Sequence, residues 1–513
     1  MEGILMSFEI TERDLAGRAG VLLTRRGEVE TPCLMPVINP VKNLIPAREL
    51  KDNFGFKMII TNSYLILKHF GHEAPDVHQL VGYDGAIMTD SGAYQLLIYG
   101  GVETDPHEIV KFQERIGSDI GVILDTPTGG FASRTDAEKT VEETIRRARL
   151  SLEWREDPTM LWAGPIQGGR YLDLIRRSAR TMGRLDFQTH PLGSPVQIME
   201  GYDYSTLVDM IVAAKLSLPP DRPLHLFGAG HPMMLALVVA LGCDLFDSAA
   251  YALFAKDDRY LTVRGTFRLD RLTELPCNCP VCSRYSQKDL LEMPKKEREE
   301  NLARHNLYVT ASEMRAIRQA LKEGGLWELV EARSRAHPKL YEAYKRLGKY
   351  AKYLEENDPV IGKEVKGIFI YDKHSLARPE VMRHRKRVIE NYSRPPGKEI
   401  GVFIPNPPER PYIKSKEYKY AAEILSGQEF HICFYGEPFG VVPSELSETF
   451  PLSQYECSEG IGMNVAKELK KFISANAYRK VFIIDPRSTM VIEGAKTLRS
   501  IDEIRGQLDE DSP

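Results

Sequence analysis

Eight apolar runs, each bounded by turn residues, punctuate the first 250 residues of the chain. They occupy 33–37, 58–62, 86–90, 120–125, 161–167, 187–190, 224–228 and 244–247. Near-continuous apolarity of this kind suits strands buried on both faces, as in a parallel sheet. Helical patterns lie between many of them. The stretch 106–116 follows Asp105 as a cap and puts Pro106 at the first helical position. Over 140–155, Val141, Ile145, Ala148 and Leu152 recur at three-to-four spacing, and 171–182 and 232–241 read alike. Eight strands alternating with helices predict an α/β fold, a (β/α)8 TIM-like barrel. The alternative is an open doubly wound sheet. The strand count favours the barrel, and no dinucleotide glycine fingerprint follows the first strand.

The polar residues at the run ends then gain meaning. Asp90, Asp125, Gln167 and Asp247 each close an apolar run. In a barrel all strand ends face one rim, where active sites are built. Glycines follow several of them, at 92, 129–130, 168–169, 193, 228 and 230, and glycine lets backbone approach a ligand closely. A single Asp after a strand is more often a helix cap. Four such positions with repeated glycines point to a site.

Cys277, Cys279 and Cys282 form a compact C-x-C-x2-C unit. Structural zinc takes four ligands held tetrahedrally, from thiolate or imidazole. His305, flanked by Leu302 and Leu307 on a helical pattern, is the candidate fourth ligand. A packing role for His305, or free thiols at the three cysteines, is the alternative. A closed four-ligand set leaves no open position for water, so the ion is expected to be structural. The remaining cysteines, Cys33, Cys243, Cys433 and Cys457, are scattered and suit buried thiols in a reducing cytoplasm.

At 513 residues the chain exceeds one ordinary domain, and two to four are expected. No window approaches 18 consecutive apolar residues, so no membrane span is expected, and the N-terminus lacks the pattern of a secretory signal. Met6 is an alternative start. A net charge of -4 neither supports nor excludes a nucleic-acid partner, because a local basic face is what matters. After residue 357 the pattern changes. Strand-like runs at 367–371, 400–404 and 481–484 alternate with Pro-rich loops. We expect a catalytic region over 1–357 with a zinc subdomain at about 270–345. Small accessory α+β modules over 358–513 follow, two of them with a boundary near 430–440. The basic run Arg383, His384, Arg385, Lys386 and Arg387, with Lys414, Lys416 and Lys419 among tyrosines, suits either RNA phosphates or a solvated helix face.

Several motifs carry a family resemblance. They are Thr89-Asp90-Ser91-Gly92-Ala93-Tyr94-Gln95, Leu124-Asp125-Thr126-Pro127-Thr128, Ile166-Gln167-Gly168-Gly169, Phe227-Gly228-Ala229-Gly230-His231-Pro232 and Phe246-Asp247-Ser248-Ala249-Ala250-Tyr251. Together with the cysteine cluster they resemble the archaeal tRNA-guanine transglycosylases over about residues 8–350. The stretch Gly440-Val441-Val442-Pro443-Ser444-Glu445-Leu446 resembles the accessory region of that branch. The resemblance implies exchange of guanine at position 15 of the tRNA D arm for 7-cyano-7-deazaguanine, on the route to archaeosine. It implies Asp247 as nucleophile and Asp90 as general acid/base. Asp125 and Gln167 would bond the base edge, the backbone at Gly168 and Gly193 would lie against it, and Tyr94 and Phe227 would sandwich it. It also implies a homodimer. Archaeal relatives end in an RNA-binding domain of the PUA type, which is not expected here; a separate PUA-domain protein is the corresponding partner. The rivals are a wobble-position enzyme of bacterial type, a free-sugar hydrolase, and a non-catalytic or amidinotransferase-type paralogue that binds the same tRNA.

Overall fold

The computed structural model describes residues 8–93, 105–360, 367–425 and 429–509. The chain divides into two compact units: Met1–Arg346 with Pro359–Lys363, and Leu347–Asp358 with Glu364–Pro513.

The first unit is an α/β structure with parallel sheets. It opens with an antiparallel sheet of β1 (Phe8–Asp14), β2 (Gly17–Thr24) and β3 (Gly27–Thr31). Apolar runs do not reveal this sheet, because β1 leaves Glu9, Thr11, Glu12 and Arg13 exposed. The eight expected runs all contain or adjoin parallel strands. They are β4 (Cys33–Pro36), β5 (Met58–Asn62), β6 (Ala86–Asp90), β7 (Ile120–Val122), β8 (Leu161–Ala163), β9 (His190–Leu192), β10 (Leu224–Leu226) and β11 (Leu245–Ser248). One four-stranded sheet has the order β5-β6-β7-β8, the other β4-β11-β10-β9. Isolated parallel bridges join Val37 to Ile60, Ala163 to Thr189 and Ile166 to Leu192. On one face Met58, Met88, Ile120, Val122, Ala163 and Leu245 pack into a single buried cluster. Ile59 and Ile87 alternate with them along the strands and are equally buried, which is why these strands read as unbroken apolar runs. The sixth run is displaced: Phe187 packs its ring on Gly164, and the strand starts only at His190.

Helix starts follow local chemistry. The helix Arg134–Trp154 begins six residues before the apolar pattern does, because Ser133 accepts the Asp136 N–H as a side-chain cap. Asp105 sits at the cap of Pro106–Arg115, but its side chain makes no capping bond. A buried ion pair ties the N-terminal sheet to the parallel strands. Arg18 of β2 donates from Nε to Asp244 Oδ1 at 3.0 Å and from Nη2 to Oδ2 at 2.5 Å, and Asp244 Oδ2 also accepts the Leu224 N–H at 2.8 Å. A 29-residue helix, Lys295–Glu323, stops at Gly324, whose φ of 71° is left-handed.

After β11 the first unit adds an antiparallel pair, β12 (Arg259–Thr262) and β13 (Gly265–Arg268). The second unit contains a five-stranded sheet. Its strands are β15 (Ile400–Pro405), β16 (Phe430–Gly436), β17 (Gly440–Pro443), β19 (Lys480–Ile484) and β20 (Lys496–Leu498), in the order β17-β16-β15-β19-β20. Only β17 runs antiparallel to its neighbour. A separate parallel pair joins β14 (Ile368–Ile370) to β18 (Tyr455–Cys457). Among the described residues no helix is long and apolar enough to cross a membrane.

Candidate active site

The C-terminal ends of the parallel strands open on a cavity of about 1580 Å³ in the first unit. Asp90, Asp125, Gln167, Gly193, Phe227 and Asp247 all line it. Tyr94 lies outside the described residues. Gly168 is not among the lining residues: its Cα faces the following helix, where a Cβ would stand 2.8 Å from the Ile175 nitrogen. Of the two glycines, Gly193 lines the cavity.

Asp90 is the last residue of β6 and pairs in register with Asn62 of β5. Asn62 Nδ2 donates to Asp90 Oδ2 at 2.9 Å, while its Oδ1 accepts the Leu65 N–H at 2.9 Å and caps the next helix. Burial, and then the carboxylates of Asp125 and Asp247, push the Asp90 acid up to about 7, against backbone N–H bonds from Gly92 and Ser91. A carboxyl group so placed exchanges a proton readily at neutral pH.

Asp125 and Gln167 act as a pair. Gln167 Nε2 donates to Asp125 Oδ2 at 2.5 Å, and Gln167 Oε1 accepts the Thr128 N–H at 2.9 Å and the Ser194 hydroxyl at 3.2 Å. Both side chains are buried. Burial pushes Asp125 up to about 6, opposed by the Gln167 bond and the Arg147 charge. Gly193 packs against this amide, and a Cβ there would fall 2.2 Å from Gln167 Nε2. The pair therefore presents an acceptor and a fixed amide to a planar ligand, beside the partly exposed ring of Phe227.

Asp247 lies in β11 with its side chain 14% exposed. Its Oδ1 accepts from His225 Nε2 at 2.8 Å and from the Gly228 N–H at 2.9 Å. Gly228 aims that N–H from a left-handed φ of 68°, with Val196 Cγ2 only 2.6 Å from where a Cβ would be. Neither His225 nor Asn62 stands out in the sequence: His225 falls inside an apolar run, and Asn62 closes one in the manner of an ordinary helix cap, which it also is.

The cysteine cluster is assembled in the same unit. One ligand atom from each of Cys277, Cys279, Cys282 and His305 lies within 4.8 Å of the others. His305 Nδ1 faces Cys282 Sγ at 3.3 Å and Cys279 Sγ at 3.5 Å, while its Nε2 donates to the Leu261 carbonyl at 2.9 Å. The Tyr260 ring stacks on the imidazole at 3.7 Å between centroids. Three thiols converging on one imidazole nitrogen form a donor set that fits a metal ion, and the Leu261 bond fixes which nitrogen faces it. The long helix Lys295–Glu323 carries His305 and also reaches the cavity wall, where Lys295, Lys296 and Arg304 join Lys42 and Lys256.

The basic run of the second unit is largely spent on its own neighbours. Arg383 pairs with Asp358 at 3.1 Å, Arg385 pairs with Glu468 at 2.9 Å, and His384 bonds the Val441 carbonyl at 2.8 Å. Lys386 and Arg387 remain exposed.

The family profile described as queuine tRNA-ribosyltransferase matches residues 14–339, and a domain of unknown function matches 381–503. A Methanocaldococcus jannaschii protein is 46% identical over 465 residues, covering 88% of this chain and 69% of its own length. A Sulfolobus acidocaldarius protein is 41% identical over 97% of both chains. A Pyrobaculum aerophilum protein is 42% identical over 97% of this chain and 99% of its own. Each of the three is named tRNA-guanine(15) transglycosylase.

Proposed function

The chain belongs to the queuine tRNA-ribosyltransferase family of pentosyltransferases, and from that membership we propose that it exchanges guanine 15 of the tRNA D arm for 7-cyano-7-deazaguanine through a covalent ribosyl-aspartate. The observation that carries this is the convergence of Asp90 and Asp247 on one cavity, with Asp90 raised to about 7.

Exchange with retention at C1′ requires two displacements, which retaining glycosidases accomplish with two carboxylates. Asp247 attacks C1′; the C1′–N9 bond breaks, its electron pair leaves with guanine, and the proton of Asp90 passes to the departing base. The incoming base then gives its N9 proton to the Asp90 carboxylate and attacks C1′, and the ester pair returns to Asp247. Asp125 accepts the N–H groups of the guanine-like edge, and Gln167 holds Asp125 in place. Phe227 stacks on the base. The target nucleotide must leave the helix stack, at a cost of about a few kcal/mol. The cavity exceeds an ordinary small-molecule pocket, and the exposed Lys42, Lys256 and Lys296 on its wall suit RNA phosphates, whereas Arg304 is held by Glu49 and Glu300.

On this assignment the two parallel sheets are one closed eight-stranded barrel, supported by the bridges from Val37 to Ile60 and from Ala163 to Thr189, with the site at the C-terminal strand ends. Cys277, Cys279, Cys282 and His305 would hold Zn2+. When bound, such an ion clips the segment after β11 and supplies no reacting group, because four protein ligands close its coordination.

Incubation of unmodified tRNA with labelled 7-cyano-7-deazaguanine, followed by mapping of the label, tests the proposal. Label at guanine 15 is expected, and Asp247→Ala is expected to bind tRNA without forming an adduct. Label at the anticodon, no exchange, or an adduct in the variant would each defeat it.

A further inference from the structure

His225 is the one fully buried histidine that touches a reacting carboxylate, and the mechanism above leaves it unused. It sits in the middle of β10 at 0% exposure, its ring edge-on to Phe227 at 4.7 Å between centroids. Its Nε2 meets Asp247 Oδ1 at 2.8 Å, while no partner among the described residues reaches its Nδ1. The contact to a carboxylate places the ring hydrogen on Nε2, and a second hydrogen on Nδ1 would be buried with nothing to receive it.

We propose that His225 is a positioning residue: with the Gly228 N–H it pins Oδ1 of Asp247, so that Oδ2 is the atom that bonds C1′. The inference rests on the assignment of Asp247 as nucleophile. Oδ1 carries both donors, and Oδ2 accepts no hydrogen bond from the described residues. In the first displacement an Oδ2 electron pair forms the ester as the C1′–N9 pair leaves with the base. Oδ1 is then the ester carbonyl. In the second displacement the C1′–Oδ2 pair returns to the carboxylate and charge grows on Oδ1, where two fixed donors already wait. Donors preorganised at the site of developing charge stabilise a transition state more than a ground state. His225 therefore assists departure of Asp247 from the ribose and leaves the grip on tRNA alone.

The test compares His225→Gln, which keeps an N–H donor, with His225→Met, which has the same length and none. The wild-type enzyme is first charged with RNA to form the adduct, then free guanine is added and adduct breakdown is timed. His225→Met is expected to slow breakdown and kcat on the order of 10- to 100-fold, as for loss of one bond to a charged group, with KM for tRNA within about twofold. His225→Gln is expected to recover most of that loss. Breakdown at the wild-type rate in His225→Met, an equal loss in a folded His225→Gln, or a change confined to KM would overturn the inference. Should His225→Met fail to fold, His225→Phe takes its place. A wild-type enzyme that forms no adduct removes the nucleophile assignment and this inference with it. A wild-type adduct with an unaffected variant removes this inference alone.

Discussion

Asp90→Asn should trade activity for stability, and the trade should depend on pH. An aspartic acid raised from 3.8 to about 7 in the fold keeps its proton there while the unfolded chain has lost it. Across that window the native state binds the extra proton, so stability falls as pH rises and the loss is complete above about 7. Asparagine cannot ionise and escapes the loss. Between about pH 5.5 and pH 8 the wild type should therefore lose roughly 2 kcal/mol relative to the variant. Sharing of the proton with Asp125, itself raised to about 6, and the partial exposure of Asp90 reduce this to about 1 kcal/mol at the lower end. Thermal unfolding of both proteins at the two pH values reads the difference, expected as a gain for Asp90→Asn of roughly 1–3 °C at the higher pH. Titration of the cysteine cluster affects both proteins and cancels. A melting difference that is the same at both pH values, or larger at the acidic one, would refute an Asp90 strained by burial and by its carboxylate neighbours.

Other perturbations probe the surroundings. Gly193→Ala sets a Cβ 2.2 Å from Gln167 Nε2, so the amide must turn off Asp125; KM for the free base should rise about tenfold or more, and an unchanged KM would show that the pair does not hold the base edge. Arg18→Met strands Asp244 and should destabilise the first unit by about 3–5 kcal/mol in denaturant melts, as removal of one partner from a buried pair does; a loss below about 1 kcal/mol would mean that the pair contributes little. Verified removal of metal by a chelator should lower the melting temperature and expose Cys277, Cys279 and Cys282 to thiol reagents, whereas unchanged unfolding would count against a structural ion.

The parallel strands were legible because burial on both faces demands apolar residues at every position, as Ile59 and Ile60 show. The N-terminal sheet was not, since an antiparallel strand with a wet face such as β1 scatters charge through its length. Among site residues, Asp90 and Asp247 stood out by closing apolar runs, and the structure sets both on one cavity. His225 was hidden by its apolar neighbours, and Asn62 by reading as a helix cap. The role of either residue is ambiguous until a partner from the adjacent strand is known, here Asp247 and Asp90. At Gly168 a φ of 146° and the approach of Ile175 call for glycine on packing grounds, a need that glycine composition alone does not separate from ligand approach. In the second unit the basic run read as a surface feature, yet Arg383 and Arg385 answer acids brought in from distant segments.

The helix Lys295–Glu323 holds His305 about three turns from the lysines at its start. A continuous α-helix carries tilt along its axis, so a metal held by Cys277, Cys279, Cys282 and His305 would set the height of the cationic ledge some 15 Å away. On the proposed function, oxidative damage to any of those sulfurs would surface first as a weakened hold on polynucleotide, with the exchange step itself intact in whatever complex still forms.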